Sequence, residues 1–288
     1  MNKTKLLKLF ISALVTVLFF YFFQRIVGFD KVLKFFSLLT LNQILAAFVL
    51  YLISYVARTV RWQYTLSIKD FYKLFKLTVY NTFFNIILPF RTGEVSFFYM
   101  LKKENIHIVE STMSFIITRF FDGISLLGLF LWAYLTYKGF YILGILAFIV
   151  SPFSFFVLLI VFRFIKHEKV KEYYKGMVNF RNIVMVYALS ILTWLFKFSA
   201  FYIILPKETK ITLLESVMAS SLADLTTVLP IHGLAGIGTY ETGYISILIF
   251  LNVPKEVAFL SAFLVHMFII VSSSFIAAIL YLVNFKKI

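Results

Sequence analysis

The sequence predicts an all-α polytopic membrane protein, with about six membrane-crossing helices and two re-entrant helical hairpins arranged as an inverted repeat. Three observations predict it. The chain is 61% hydrophobic and only 14% charged over 288 residues, which would give a soluble domain a far larger apolar surface than such domains expose. Six uninterrupted apolar stretches are long enough to cross about 30 Å of hydrocarbon. Two further apolar segments stop at a Leu-Pro pair and continue through glycine to a carboxylate. One is Leu88-Pro89-Phe90-Arg91-Thr92-Gly93-Glu94; the other is Leu229-Pro230-Ile231-His232-Gly233, running on through Gly236 and Gly238 to Glu241. Proline interrupts a helix because it has no N–H and its ring clashes with the preceding turn. Broken helices inside a membrane offer free backbone groups to a solute, so paired breaks point to a transport site.

The first stretch, 6–27, follows Lys3, Lys5 and Lys8. It has the basic start of a signal peptide but no small-residue cleavage site, and it is long enough to span, so it is expected to be a retained helix. The second, 41–60, closes on Arg58, Arg61 and Trp62, which suit either interfacial anchoring or capture of a lipid phosphate. A segment ending at Pro89, with the short apolar piece after it, forms the first hairpin. Stretches 110–137, 139–163 and 183–205 supply three more crossings. The second hairpin turns at Pro230, and 257–285 is the last crossing. The whole of 1–288 reads as one transmembrane domain.

Charge placement orients these elements. With the N-terminus inside, eighteen of the 28 Lys and Arg fall on cytosolic segments and seven on the opposite side, while Arg91, Arg119 and Lys197 lie within apolar sequence. That bias predicts cytosolic N- and C-termini in the cell membrane. The formal charge of +15 then fits loops facing anionic lipid, and there is no nucleic-acid-binding motif to support a nucleic-acid partner. The same orientation makes 41–137 and 183–285 inverted copies: the first hairpin enters from the cytosol, the second from outside. Inverted repeats with broken helices near the midplane are a plan of alternating-access transporters.

A charge at mid-membrane costs on the order of 2.5–3.5 kcal/mol, so Arg91, Glu94, Arg119, Asp122, Lys197, Asp224 and Glu241 need partners or a wet cavity. Simple neutralisation is one reading, because Arg119 and Asp122 stand three apart on a helix, as do Arg91 and Glu94. The other reading is a binding site. Arg91 follows Pro89 within the break, where freed amides and a planar guanidinium suit a phosphate or carboxylate. Glu94 would pair with Arg91 or bind a cationic part of the same head group, and Gly93 permits close approach. In the second hairpin His232 stands where the first has Arg91, as a hydrogen-bonded structural residue or a proton carrier. Glu94, Asp224, His232 and Glu241 are the candidates for proton coupling, because buried carboxylates shift their protonation readily.

Enzyme signatures fail. His167-Glu168 has no second His four residues on and is no zinc-protease motif. Gly236-Ile237-Gly238-Thr239 puts threonine where the Gly-x-Gly-Asp of intramembrane aspartyl proteases needs aspartate, which leaves Asp122 and Asp224 without that motif. The absence of cysteine excludes disulfides, thiolate catalysis and Cys-ligated metals. No cofactor or metal is expected.

Arg58-Thr59-Val60-Arg61-Trp62, Asn85 with Leu88-Pro89-Phe90-Arg91-Thr92-Gly93-Glu94, Arg119-Phe120-Phe121-Asp122, and Leu229-Pro230 through Gly233, Gly236, Gly238 and Glu241 occur in the order of one family. Over roughly 10–285 the chain resembles the transmembrane region of lysylphosphatidylglycerol synthase, the flippase-like membrane proteins. The resemblance implies movement of lipids between leaflets, with Arg58, Arg61, Asn85, Arg91, Gly93, Glu94, Arg119, Asp122, Gly233 and Glu241 binding the substrate. It implies membrane lipids as partners: an anionic or zwitterionic phospholipid, or a polyprenyl-phosphate-linked lipid. A homo-oligomer or a partner enzyme is compatible with it. The chain ends soon after its last helix, so the aminoacyl-transferase domain of full synthases is not expected. His266 departs from the pattern by standing where a cation matching Arg119 is expected. Two alternatives stay open: a membrane enzyme acting on a lipid head group through its carboxylates, and a non-transporting subunit of a lipid-modifying enzyme.

Overall fold

A computed structural model describes residues 3–88, 92–154, 168–177, 179–227 and 233–285, and among these the secondary structure is entirely helical. Helices α1 (Lys3–Ile26), α2 (Asp30–Phe36) and α3 (Leu41–Trp62) are followed by α4 (Phe71–Ile87) and α5 (Glu94–Lys103). Then come α6 (Ile108–Tyr137), α7 (Tyr141–Val150), α8 (Glu168–Met177) and α9 (Phe180–Ile203). The chain closes with α10 (Leu213–Thr226), α11 (Thr239–Phe250) and α12 (Lys255–Phe285).

Four helices, α3, α6, α9 and α12, are long and apolar enough to cross a membrane. They coincide with the expected stretches 41–60, 110–137, 183–205 and 257–285. The first stretch, 6–27, falls on α1 and ends just before a bend: Phe10–Ile26 and Asp30–Phe36 meet at 84° and pass as a fifth span only if taken together. The bend falls at Gly28, whose φ of +85° suits glycine. The expected crossing at 139–163 begins as the ten-residue α7 and passes into a 3₁₀ turn at Ser151–Ser154; its remainder lies outside the described residues.

Both Leu-Pro breaks interrupt helices where expected. Helix α4 stops at Ile87 and α5 starts at Glu94; α10 stops at Thr226 and α11 starts at Thr239. Pro89, Arg91, Pro230 and His232 themselves lie outside the described residues. Helices α10 and α11 pack closely at Gly243, where an added Cβ would lie 2.9 Å from Ala223 Cα.

The chain forms two compact units. The first contains Met1–Tyr51, Val79–Glu94 and Phe198–Ile288; the second contains Leu52–Thr78 and Val95–Lys197. In the first, the rings of Phe19, Phe23, Phe259 and Phe263 stack between α1 and α12. In the second, Met113, Ile117 and Phe121 of α6 bury against Ile183, Val186, Tyr187 and Ile191 of α9 and against Tyr173 of α8. The Tyr173 hydroxyl donates to Thr65 O at 2.7 Å, and burial raises the phenol pKa above its usual range. Large apolar side chains such as Val17, Val271 and Leu282 are more than half exposed on the long helices, as lipid contact requires and water does not favour.

Candidate functional site

Three helices of the second unit each carry a polar stripe at helical spacing. On α6 it is Ser114, Thr118, Asp122 and Ser125; on α9 it is Tyr187, Ser190, Trp194 and Lys197; on α3 it is Arg58 and Arg61. Residues three and four apart share a face, so packing the three faces together gathers these side chains in otherwise apolar helices.

Arg61, in the last turn of α3, is 1% exposed. Its Nη1 donates to Asp122 Oδ1 at 2.5 Å and to Ser190 Oγ at 2.8 Å, while Nη2 donates to Asp122 Oδ2 at 3.3 Å. Asp122 Oδ1 also accepts from Trp194 Nε1 at 3.1 Å. The rest of the cluster is cationic. Arg119 Nη1 stands 3.9 Å from Asp122 Oδ2, and its guanidinium lies over the Phe115 ring at 5.0 Å. Lys197 Nζ and the Arg58 guanidinium lie 4.7 and 5.9 Å from the Trp194 ring centroid. Lys197 is itself buried. Three guanidinium groups, of Arg61, Arg58 and Arg119, therefore act on the Asp122 carboxylate, and Lys197 stands against the Trp194 ring that donates to it.

Local pairing of Arg119 with Asp122 was one sequence expectation; the ion pair is present at 3.9 Å, but it is the weaker of two. The carboxylate binds Arg61 with two nitrogens, and Arg119 approaches only to the limit of an ion pair. Interfacial anchoring also fails to describe Arg61, which is enclosed by α6 and α9. Lys197, Trp194 and Ser190 were absent from the expected binding set. The three- and four-residue spacing of 187, 190, 194 and 197 carried that signal.

A second group lies at the first break. Gly93 sits directly on α4: a Cβ there would lie 2.3 Å from the carbonyl carbon of Phe84 and 2.4 Å from Asn85 N. Asn85 Nδ2 donates to Asn81 Oδ1 at 3.0 Å, and among the described residues its own buried Oδ1 accepts no hydrogen bond. Glu94 begins α5 beside them, where a carboxylate suits the positive end of the helix. Arg91, expected at the centre of this group, lies outside the described residues.

The third group surrounds the second break. Glu241 is fully buried: one carboxylate oxygen accepts from Gly238 N at 2.7 Å, capping α11, and the other lies 2.7 Å from His266 Nδ1 on α12. The Tyr240 ring lies over the His266 imidazole at 4.7 Å. Gly233 donates from its backbone N to Thr239 Oγ1 at 3.1 Å, and Leu234 N donates to Thr16 Oγ1 of α1 at 2.8 Å. Asp224 is buried near the end of α10. His266 departs from the cation expected of a matching second half and serves instead as the partner of Glu241.

A family model described as the lysylphosphatidylglycerol synthase TM region matches residues 6–277. No curated protein matches the chain.

Proposed function

The chain belongs to the lysylphosphatidylglycerol synthase TM-region family, and from that premise we propose that it is a flippase-like transporter, moving an anionic or zwitterionic phospholipid head group between leaflets. The observation that carries this reading is the gathering of Arg58, Arg61, Arg119 and Lys197 with Asp122 and Trp194 on membrane-crossing helices. Basic side chains gathered inside the membrane suit an anionic guest, and a lipid phosphate is the anion most available there. Guanidinium groups bind phosphate with two parallel hydrogen bonds, and the Trp194 ring between Arg58 and Lys197 would shield the head group from lipid tails. Within the first unit, Arg91 and Glu94 would hold a head group at the first break, with Asn85 and Gly93 shaping that site, and Gly233 and Glu241 would contribute at the second break.

The alternating-access form of the proposal has six crossings, hairpins entering from opposite faces, the repeats 41–137 and 183–285, and both termini in the cytosol of a cell-membrane protein. In this reading the transmembrane region itself moves the lipid, alone, as a homo-oligomer or beside a partner enzyme.

The test is transfer of fluorescent phosphatidylglycerol across vesicles containing the purified protein, read by quenching of the outer leaflet. Lys197→Met and Arg119→Gln should each slow transfer about tenfold, the effect of losing one charge-assisted contact of about 1.5 kcal/mol, and Arg91→Ala should abolish it. Wild-type transfer rates in all three variants would remove the assigned roles. Chemical conversion of the lipid by the purified protein would mark a membrane enzyme instead.

A further inference from the structure

Helices α10 and α11 pair their polar faces in a register that continues into α12. Ser216, Ser220 and Asp224 recur every four residues on α10, and Tyr240 and Tyr244 do so on α11. The Tyr244 hydroxyl faces Ser216 and Ser220 without closing a hydrogen bond to either. Tyr240, 3% exposed, lies within electrostatic reach of Asp224 on α10 and Tyr51 on α3. Its hydroxyl has no hydrogen-bond partner among the described residues. Its ring covers His266, whose Nδ1 meets Glu241 at 2.7 Å. A row of titratable groups thus passes from Asp224 through Tyr240 to His266 and Glu241.

We propose that this row is a proton-binding site and that the His266–Glu241 pair is its carrier, coupling proton movement to lipid transfer; the inference rests on the transporter reading above. Tyr240 of α11 is the titratable group that lies on the pair, its ring over the His266 imidazole; Tyr244 of α11, Asp224 of α10 and Tyr51 of α3 lie within electrostatic reach of Tyr240. With His266 protonated, the pair is a neutral ion pair; with the proton gone, an uncompensated carboxylate remains in a low-dielectric interior. The two states differ by a full charge. Tyr240, with its ring on the His266 imidazole and within electrostatic reach of Asp224, is the contact between the pair and that carboxylate.

The pair also touches the break itself. Glu241 holds Gly238 N, and a Cβ at Gly236 would lie 3.4 Å from the His266 ring. Gly236 and Gly238 have φ of +79° and +92°, conformations that L side chains rarely adopt. Loss of the proton therefore acts on the turn that joins α10 to α11, which gives the charge change a mechanical outlet.

The experiment uses the full chain in phosphatidylglycerol-containing vesicles with a gradient of about one pH unit, within the range where histidine titrates. Wild-type transfer of fluorescent phosphatidylglycerol should change severalfold when the gradient is reversed. His266→Gln and Tyr240→Phe should still move lipid but respond less than twofold. A gradient response retained in His266→Gln overturns the proposal, as does wild-type transfer indifferent to the gradient. Absence of any wild-type transfer sinks the transporter reading instead. Infrared titration of the purified protein reads the same site without transport. A carboxylate band that shifts with pH in wild type, as His266 gains and loses its proton beside it, should be absent in Glu241→Gln and lose its pH dependence in His266→Gln; a pH-dependent band unchanged in both variants means that the pair carries no proton.

Discussion

Asp122→Ala is expected to destabilise the protein by about 3–5 kcal/mol, the range for removing one partner of a buried ion pair. Arg61 is 1% exposed, and Asp122 is the carboxylate its two terminal nitrogens grip. Truncation would leave that guanidinium buried beside Arg58, Arg119 and Lys197, so repulsion adds to the lost pairing. Trp194 Nε1 would lose its acceptor as well. Asp122→Asn should fall between, because an amide keeps an acceptor for Arg61 but not the charge. The double variant Arg61→Met with Asp122→Leu should recover most of the stability, since replacing a whole buried pair by apolar groups is often neutral or stabilising. Thermal unfolding in detergent reads all three. The double variant matters for function too: recovered stability with lipid transfer still lost would separate the pair's structural duty from its share in the binding cluster. An Asp122→Ala protein within about 1 kcal/mol of wild type, no more than a surface ion pair supplies, would contradict the account of Asp122 as the anchor of the cluster.

How legible each feature was in the sequence follows from the range of the interaction that makes it. Helix breaks are local, and the Leu-Pro-glycine runs located both, α4 ending at Ile87 and α11 beginning at Thr239. Four long crossings were equally legible, because mean apolarity over a span is a property of neighbouring residues. The bend at Gly28 is also local, and the first apolar stretch, 6–27, stops just before it; the seven-residue α2 beyond is too short for a hydropathy reading to pick out. Hydropathy likewise merged α7 with the 3₁₀ turn at Ser151–Ser154.

Side-chain partnership is different. Arg119 and Asp122 are neighbours along a helix, so sequence spacing pairs them, yet Asp122 bonds to a residue 61 positions away. That choice depends on α3 packing against α6, which no local pattern encodes. His266 is the clearest case. Its place on an apolar helix showed an unusual residue, and only the approach of α11 to α12 reveals that Glu241 is its partner. The family resemblance supplied the substrate class, which neither spacing nor packing contains.

Gly233→Ala is the substitution with the most direct steric consequence. A Cβ at Gly233 would stand 1.6 Å from the carbonyl oxygen of Ile237, 2.8 Å from its carbonyl carbon and 2.9 Å from Thr16 Oγ1. The first two contacts are with backbone, so no rotamer change relieves them, and the 3₁₀ turn at Leu234–Gly236 must open. That turn is tied at both ends, by Leu234 N to Thr16 on α1 and by Gly238 N to Glu241. Opening it therefore loosens the cap of α11 and the seat of His266 together. Overpacking a tight site costs about 1–3 kcal/mol, and sometimes more; a backbone clash that disrupts two caps belongs at or above the upper end. The expected result is a lower unfolding midpoint in detergent and loss of lipid transfer. Gly176→Ala, on α8 with nothing within 4 Å of its Cβ position, is the matched control and should leave both nearly unchanged. A Gly233→Ala protein with wild-type stability would show that the turn adopts another conformation than the one described, and would remove the mechanical link between the break and the Glu241–His266 pair.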